Sequence, residues 1–290
     1  MCRLFGMTGG REAVSATFWL LQAPDSLAQQ SHREPDGTGL GVYASDGRPQ
    51  VFKQPIAAYA DHAFAAEARR LHSRTFIAHI RYASNGAVAP QNTHPFEQDG
   101  RLFAHNGVIG EVDRLDAHLA RAAHPQVHGE TDSERFFALI TQTIAGGGGD
   151  VGAAITRAAG WIAANLPVFA LNCVLITASE LFALRYPDTH ELHVLQRSPG
   201  GPGGGDHLRH AGHAGTVTVH SPDLARHAAV VVASEPMDDD PGWRALEPGE
   251  LLHVDADLRV SIDRVLPDPP ARRLTLADLD PHAAASQTAR

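Results

Sequence analysis

The chain has 290 residues, 43% of them hydrophobic and 20% charged, which fits a folded protein rather than a disordered one. Its formal net charge of −9 argues against a nucleic-acid partner. With two cysteines, Cys2 and Cys173, there is no disulfide framework and no cysteine metal cluster. No apolar run approaches the roughly 18 residues of a membrane span. Polar residues and glycines from Gly6 to Glu12 fall where the apolar region of a signal peptide would begin, so the expected location is the cytoplasm.

Residues 2 to 7 read as a short strand closed by a turn at Gly9 and Gly10. Cysteine stands directly behind the initiator methionine. Removal of Met1 would leave one residue with both a thiol and a free α-amine, and an adjacent amine is a recognised base for such a nucleophile. The apolar spacing of residues 13 to 22 predicts a helix. A Pro35-Asp36-Gly37 turn then runs into a glycine-spaced strand through Tyr43, where the glycines permit a close backbone approach.

A helix over 62–72 precedes a strand at 76–81 that sets Ile77, His79 and Arg81 on one face. Another strand, 102–105, is expected to end at Asn106-Gly107, a dipeptide that also signals a turn. Val112 to Arg121 reads as a helix. Thr131 and Glu134 have the spacing of a capping box, followed by the apolar run Phe136, Phe137, Leu139, Ile140 and Ile144. The cap leaves Asp132 fixed on a first helical turn.

After the glycine run 146–149 and a helix at 151–165 the pattern turns β-rich. Strands are expected at 168–177, 180–186, 190–196, 215–220, 228–234, 249–254 and 257–264. Cys173 reads as a small core residue within the first of these. Helices early and antiparallel strands late predict an α+β fold. The domain is expected over 2–265, with 266–290 a Pro/Ala-rich, weakly packed tail carrying one short helix. The Gly200–Gly205 run lacks the Lys-Ser/Thr and the strand-to-helix setting of a phosphate loop, and reads as a connector. His207, His210 and His213 have regular spacing but no carboxylate or cysteine partner, which argues against a metal site.

Cys2, Arg81, Asn106, Gly107 and Asp132 complement a single substrate type. Cleaving an amide through a thioester needs a nucleophile, donors for the oxyanion and groups that fix the substrate. Asn106 can offer a side-chain N–H and Gly107 a backbone N–H; Arg81 can take a carboxylate and Asp132 an ammonium. Glutamine, or another γ-glutamyl compound, carries both charges and a distal amide.

The motifs Cys2-Arg3-Leu4-Phe5-Gly6, Pro35-Asp36-Gly37-Thr38-Gly39, His79-Ile80-Arg81-Tyr82-Ala83-Ser84-Asn85-Gly86, Asn92-Thr93-His94-Pro95-Phe96, Ala104-His105-Asn106-Gly107 and Glu130-Thr131-Asp132-Ser133-Glu134 occur in this order. Together they resemble the class II glutamine amidotransferases, N-terminal-nucleophile enzymes, and in particular stand-alone members similar to the γ-glutamyl hydrolase of ergothioneine synthesis. The resemblance implies a four-layer αββα sandwich, catalysis by Cys2 with Asn106 and Gly107, and substrate binding by Arg81, Ser84, Asn85 and Asp132. It implies no metal or organic cofactor. Thr38, where stand-alone members often have Trp, and Ser84-Asn85, where fused members often have Thr-His, depart from the pattern at the glutamyl pocket or its rim. The released nitrogen would pass to a separate synthase subunit, or leave as the amine product of a self-sufficient hydrolase. A non-catalytic scaffold that retains the fold is the reading from another class.

Overall fold

Along the strands, alternate side chains enter different cores, which is how the sequence builds four layers. The computed structural model describes residues 2–83, 86–120, 124–201, 207–212, 215–220 and 225–288. In chain order the strands are β1 (Arg3–Thr8), β2 (Gly37–Tyr43), β3 (Pro49–Gln54), β4 (Thr75–Arg81), β5 (Phe96–Gln98), β6 (Arg101–Ile109), β7 (Pro167–Ile176) and β8 (Leu181–Leu184). They continue as β9 (His193–Arg197), β10 (His207–Gly212), β11 (Gly215–His220), β12 (Ala229–Ala233), β13 (Arg244–Ala245), β14 (Glu250–Val254), β15 (Val260–Arg264) and β16 (Arg272–Arg273). The α-helices are α1 (Leu27–Gln30), α2 (His62–Arg70), α3 (Val112–His118), α4 (Asp132–Gly146), α5 (Val151–Asn165) and α6 (Pro281–Thr288).

One sheet has the order β13-β9-β12-β1-β4-β2-β3 and the other β15-β14-β8-β7-β6-β5, with β16 added alongside β7. Leu4, Ile77, Leu102, Ala104, Val174, Val232 and Leu252 interdigitate between the two sheets. Their neighbours Phe5, Met7, Phe76, Ala78 and Ile80 face outward and meet Phe18, Trp19, Leu27 and Phe64. On the far side Phe103, Leu171, Cys173 and Leu175 pack on Phe136, Phe137, Ile140, Ile155 and Ile162 of α4 and α5. The result is a four-layer αββα sandwich, and Cys173 is a core residue of it.

Several elements differ from the sequence reading. Instead of a helix over 13–22, Val14 pairs through its backbone with Ser73, and only a single π-helical turn forms at Phe18–Gln22. Phe18, Trp19 and Leu20 are all buried, so this apolar run fills a core on every side rather than along one stripe. The strand at 102–105 does not end at Asn106-Gly107. It continues to Ile109 because β7 pairs with it throughout, Asn106 against Asn172 and Gly107 against Leu171. A Cβ at Gly107 would collide with the Ala170 carbonyl, so the residue serves a close strand approach rather than a turn. The actual turn is Asp99-Gly100, both with positive φ, joining β5 to β6 as a tight two-residue hairpin.

The glycine-spaced strand β2 also has its explanation. A Cβ on Gly39 would strike the His94 carbonyl, which places the Asn92–Phe96 segment directly against β2. The strand expected at 215–220 is present as β11, hairpin-paired with β10, which the sequence reading did not anticipate. His207 and His210 lie on β10; His213 and residues 202–206 of the glycine connector fall outside the described residues.

The segment beyond Leu266 is largely exposed, and a few of its residues make fixed contacts. Its strand β16 pairs in parallel with Pro167 and Val168, Leu274 and Leu279 lie on Val108 and Phe169, and Ser286 and Gln287 of α6 are buried. No helix among the described residues is long and apolar enough to cross a membrane.

Candidate active site

Strand alternation dictates which side chains can meet. Cys2 lies two residues before Leu4, Arg81 four after Ile77, and Asn106 two after Ala104, and those three apolar residues all point between the sheets. The polar residues therefore emerge at one end of the same inter-sheet layer. Asn106 Nδ2 donates to the Cys2 carbonyl at 3.0 Å, tying the second sheet to the start of the first. Gly107 follows it, half-buried.

The Cys2 thiol is clamped by the backbone of one residue. It donates to the Tyr82 carbonyl at 3.4 Å and accepts from the Tyr82 N–H at 3.3 Å. Burial pushes the thiol up from its ordinary value and the Glu34 carboxylate adds to the rise, whereas the Tyr82 hydrogen bond and the Arg81 cation oppose it. Arg81 is 3% exposed. Burial draws its guanidinium down, while the negative ends of Cys2, Asp36 and Asp132 push it back up, so all four lie in one electrostatic neighbourhood.

Arg81 is held in place before any substrate arrives. Its Nη1 donates to the Ala87 carbonyl at 3.1 Å and its Nη2 to Gly86 at 3.2 Å. Asn92 and Glu130 fasten that loop: Asn92 Nδ2 donates to the Ala87 carbonyl, and Glu130 accepts from both the Ala87 N–H and Asn92. Ser84 and Asn85, the other two expected substrate contacts, lie outside the described residues.

Asp132 begins α4. Thr131 caps the helix by accepting from the Glu134 N–H at 3.2 Å, whereas the Glu134 carboxylate reaches back to the Gly129 N–H rather than to Thr131. The cap holds one Asp132 oxygen on the Ile109 N–H at 2.7 Å and the other on the Ser133 N–H at 2.9 Å. Two fixed donors orient the carboxylate and still leave lone pairs for a cation.

Behind these residues lie three buried histidines. The His79 and His94 rings sit 4.1 Å apart, and His105 bridges Ser133 Oγ at 2.9 Å and the Ala170 carbonyl at 3.2 Å. Burial lowers all three, taking His79 to about 3. Unfolded His79 titrates near 6.5, so in the window between about 6.5 and 3 the unfolded chain binds the extra proton and stability falls with pH. His79 alone should cost about 2 kcal/mol on going from pH 7 to pH 5, read as a drop in the urea midpoint. A midpoint unchanged between those pH values would show that native His79 titrates normally.

Known proteins point the same way. The sequence profile of the family described as "Glutamine amidotransferases class-II" matches residues 1–268. The chain belongs to the class II glutamine amidotransferases. It is 30% identical over 266 residues to the gamma-glutamyl-hercynylcysteine sulfoxide hydrolase of Mycobacterium tuberculosis, covering 88% of this chain and 93% of the relative. An uncharacterised protein of Methanocaldococcus jannaschii is 30% identical over 273 residues, 87% of this chain and 68% of the relative. Among solved structures, the glutamine PRPP amidotransferase of B. subtilis superposes with a TM-score of 0.62 at 19% identity, over 92% of this chain and 50% of the other. That likeness confirms the fold. This amidotransferase is accordingly an enzyme of a family that acts on amide C–N bonds.

The sequence reading missed a charged network beside Cys2 of this amidotransferase. Arg3, 3% exposed, pairs with buried Glu34 at 3.3 Å and with Glu235 at 2.7 Å, and Arg33 also reaches Glu235 at 3.1 Å. Arg3 and Glu34 sit in or beside motifs already singled out, but only the fold shows that they meet each other and Glu235. Ser234, next to Glu235, accepts from the Leu4 N–H at 2.9 Å, so the same strand end also fixes the backbone after Cys2.

Proposed function

We propose that the protein hydrolyses the γ-amide of glutamine or of a γ-glutamyl compound, with Cys2 as nucleophile. With Met1 removed, the Cys2 α-amine takes the thiol proton and the thiolate attacks the γ-carbonyl. Asn106 Nδ2 and the Gly107 N–H stabilise the oxyanion, the amine gives its proton to the departing nitrogen, and water releases glutamate from the thioester. Arg81 holds the α-carboxylate, Asp132 the α-ammonium, and Ser84 and Asn85 line the same pocket. The cycle draws on no metal or organic cofactor and runs in the cytoplasm.

The convergence of Cys2, Arg81, Asn106 and Asp132 carries this reading, since a scaffold that only retained the fold would have no reason to keep the set. A second reading narrows the substrate: a dedicated γ-glutamyl hydrolase that releases an amine and transfers no ammonia. It is favoured by the 93% coverage of the mycobacterial relative, whose name is that of such a hydrolase. A glutaminase subunit passing ammonia to a separate synthase is the remaining form.

A panel of glutamine and substituted γ-glutamyl amides, assayed for glutamate release by purified protein lacking Met1, tests the proposal. At least one member is expected to turn over. Faster turnover of substituted amides than of glutamine selects the dedicated hydrolase, and no turnover of any member rejects the proposal.

A further inference from the structure

The family match ends at residue 268, yet the chain continues through α6 and makes fixed contacts beside the candidate site. Three contacts fix where this segment lies. Leu274 and Leu279 pack against the cluster of Val108, Phe169 and Ala170, and Val108 directly follows Gly107. Gln287 Oε1 bonds buried His190 Nε2 at 2.8 Å, and the His190 carbonyl in turn accepts from Asn172, the strand partner of Asn106. His282 faces the ring of Tyr82 at 6.0 Å, and it is the Tyr82 backbone that brackets the Cys2 thiol. Arg272 further ties the segment to Glu111, just past the end of β6. Residues 267–288 thus flank both the nucleophile and the strand that carries Asn106 and Gly107.

Resting on the reading of the site as γ-glutamyl-specific, we infer that this segment forms the wall that meets the group on the departing amide nitrogen. Arg81 and Asp132 account for the two charges of the glutamyl end, and the scissile carbon must sit at Cys2. What extends past that carbon is the amine, and Tyr82 with His282 is the aromatic pair next to the nucleophile. Tyr82 is half-buried and His282 exposed, so the pair keeps ring surface open on a residue whose backbone contacts the Cys2 thiol. The segment therefore selects γ-glutamyl amides whose nitrogen bears a planar substituent over glutamine, which bears none. His282 is the specificity-determining side chain, and Gln287 positions the helix that carries it.

Full-length His282→Ala, Gln287→Ala and wild-type protein, each assayed with glutamine and with γ-glutamyl-p-nitroanilide, test this directly. Loss of one aromatic contact should lower kcat/KM for the anilide roughly five- to tenfold in His282→Ala, with glutamine turnover within about twofold of wild type. Gln287→Ala should shift the ratio in the same direction. Should Gln287→Ala fail to fold, exposed His282→Ala carries the test alone. A ratio that does not fall in His282→Ala overturns the inference while leaving the γ-glutamyl reading intact. Wild-type protein that turns over glutamine but not the anilide also overturns the inference, whereas wild-type protein that turns over no γ-glutamyl amide of the wider panel removes that reading and the inference with it.

Discussion

Cys2→Ala should abolish glutamate release, lowering kcat by at least about 10³-fold, because loss of a covalent nucleophile removes the acyl-enzyme route altogether. The thiol contributes little to packing, making two hydrogen bonds with the backbone of one residue. Thermal unfolding of the variant should therefore stay close to that of wild type, which separates lost chemistry from lost fold. Cys2→Ser retains a hydroxyl at the same place but with weaker nucleophilicity, and should be nearly as inactive. Substantial turnover by either variant would move the chemistry to another group. Cys173 is not a candidate for it: burial on the α4–α5 side raises its thiol to about 12.

The second large effect is expected at Arg81. Losing a bidentate, charge-assisted contact in a buried site costs roughly 2–4 kcal/mol, so Arg81→Ala should lower kcat/KM by about 10²- to 10³-fold, mostly through KM. Arg81 also holds the carbonyls of Gly86 and Ala87, so a lower unfolding temperature is expected too. Arg81→Lys distinguishes the roles. A lysine restores charge but not the planar fork, and should recover only part of the lost kcat/KM. If Arg81→Ala leaves kcat/KM unchanged, Arg81 has no part in holding the substrate.

Much of this architecture was legible in the sequence because its signals are local. The alternation in Leu4-Phe5-Gly6-Met7 and Phe76–Arg81 survives as strands whose two faces enter different cores, and the Thr131 cap starts α4 where it was expected. The proposed site residues were picked out for a different reason, since their chemical types complement one substrate. What the sequence hid depends on partners distant along the chain. Asn106-Gly107 has the composition of a turn, but pairing with Asn172 and Leu171 holds it in a strand. Residues 13–22 have helical spacing, yet the backbone bonds of Val14 with Ser73 prevail.

The contacts of the segment after Leu266 were hidden by its composition. Its prolines, alanines and aspartates suggest a solvated tail, but a few apolar and polar residues, Leu274, Leu279, Ser286 and Gln287, find buried partners only once β7 and His190 are in place. The Arg3–Glu34–Glu235 network was hidden likewise, because its members stand 31 and 232 positions apart from Arg3 and no local pattern joins them.

The central claim is that an N-terminal Cys2 attacks a γ-glutamyl carbonyl. Incubating active protein with a glutamine analogue that carries an electrophilic ketone in place of the γ-amide, and then measuring intact and peptide masses, tests it most directly. One adduct per chain is predicted, on a Cys2 whose α-amine is free because Met1 is absent. Active protein that retains Met1, or an adduct on any other residue, would contradict it.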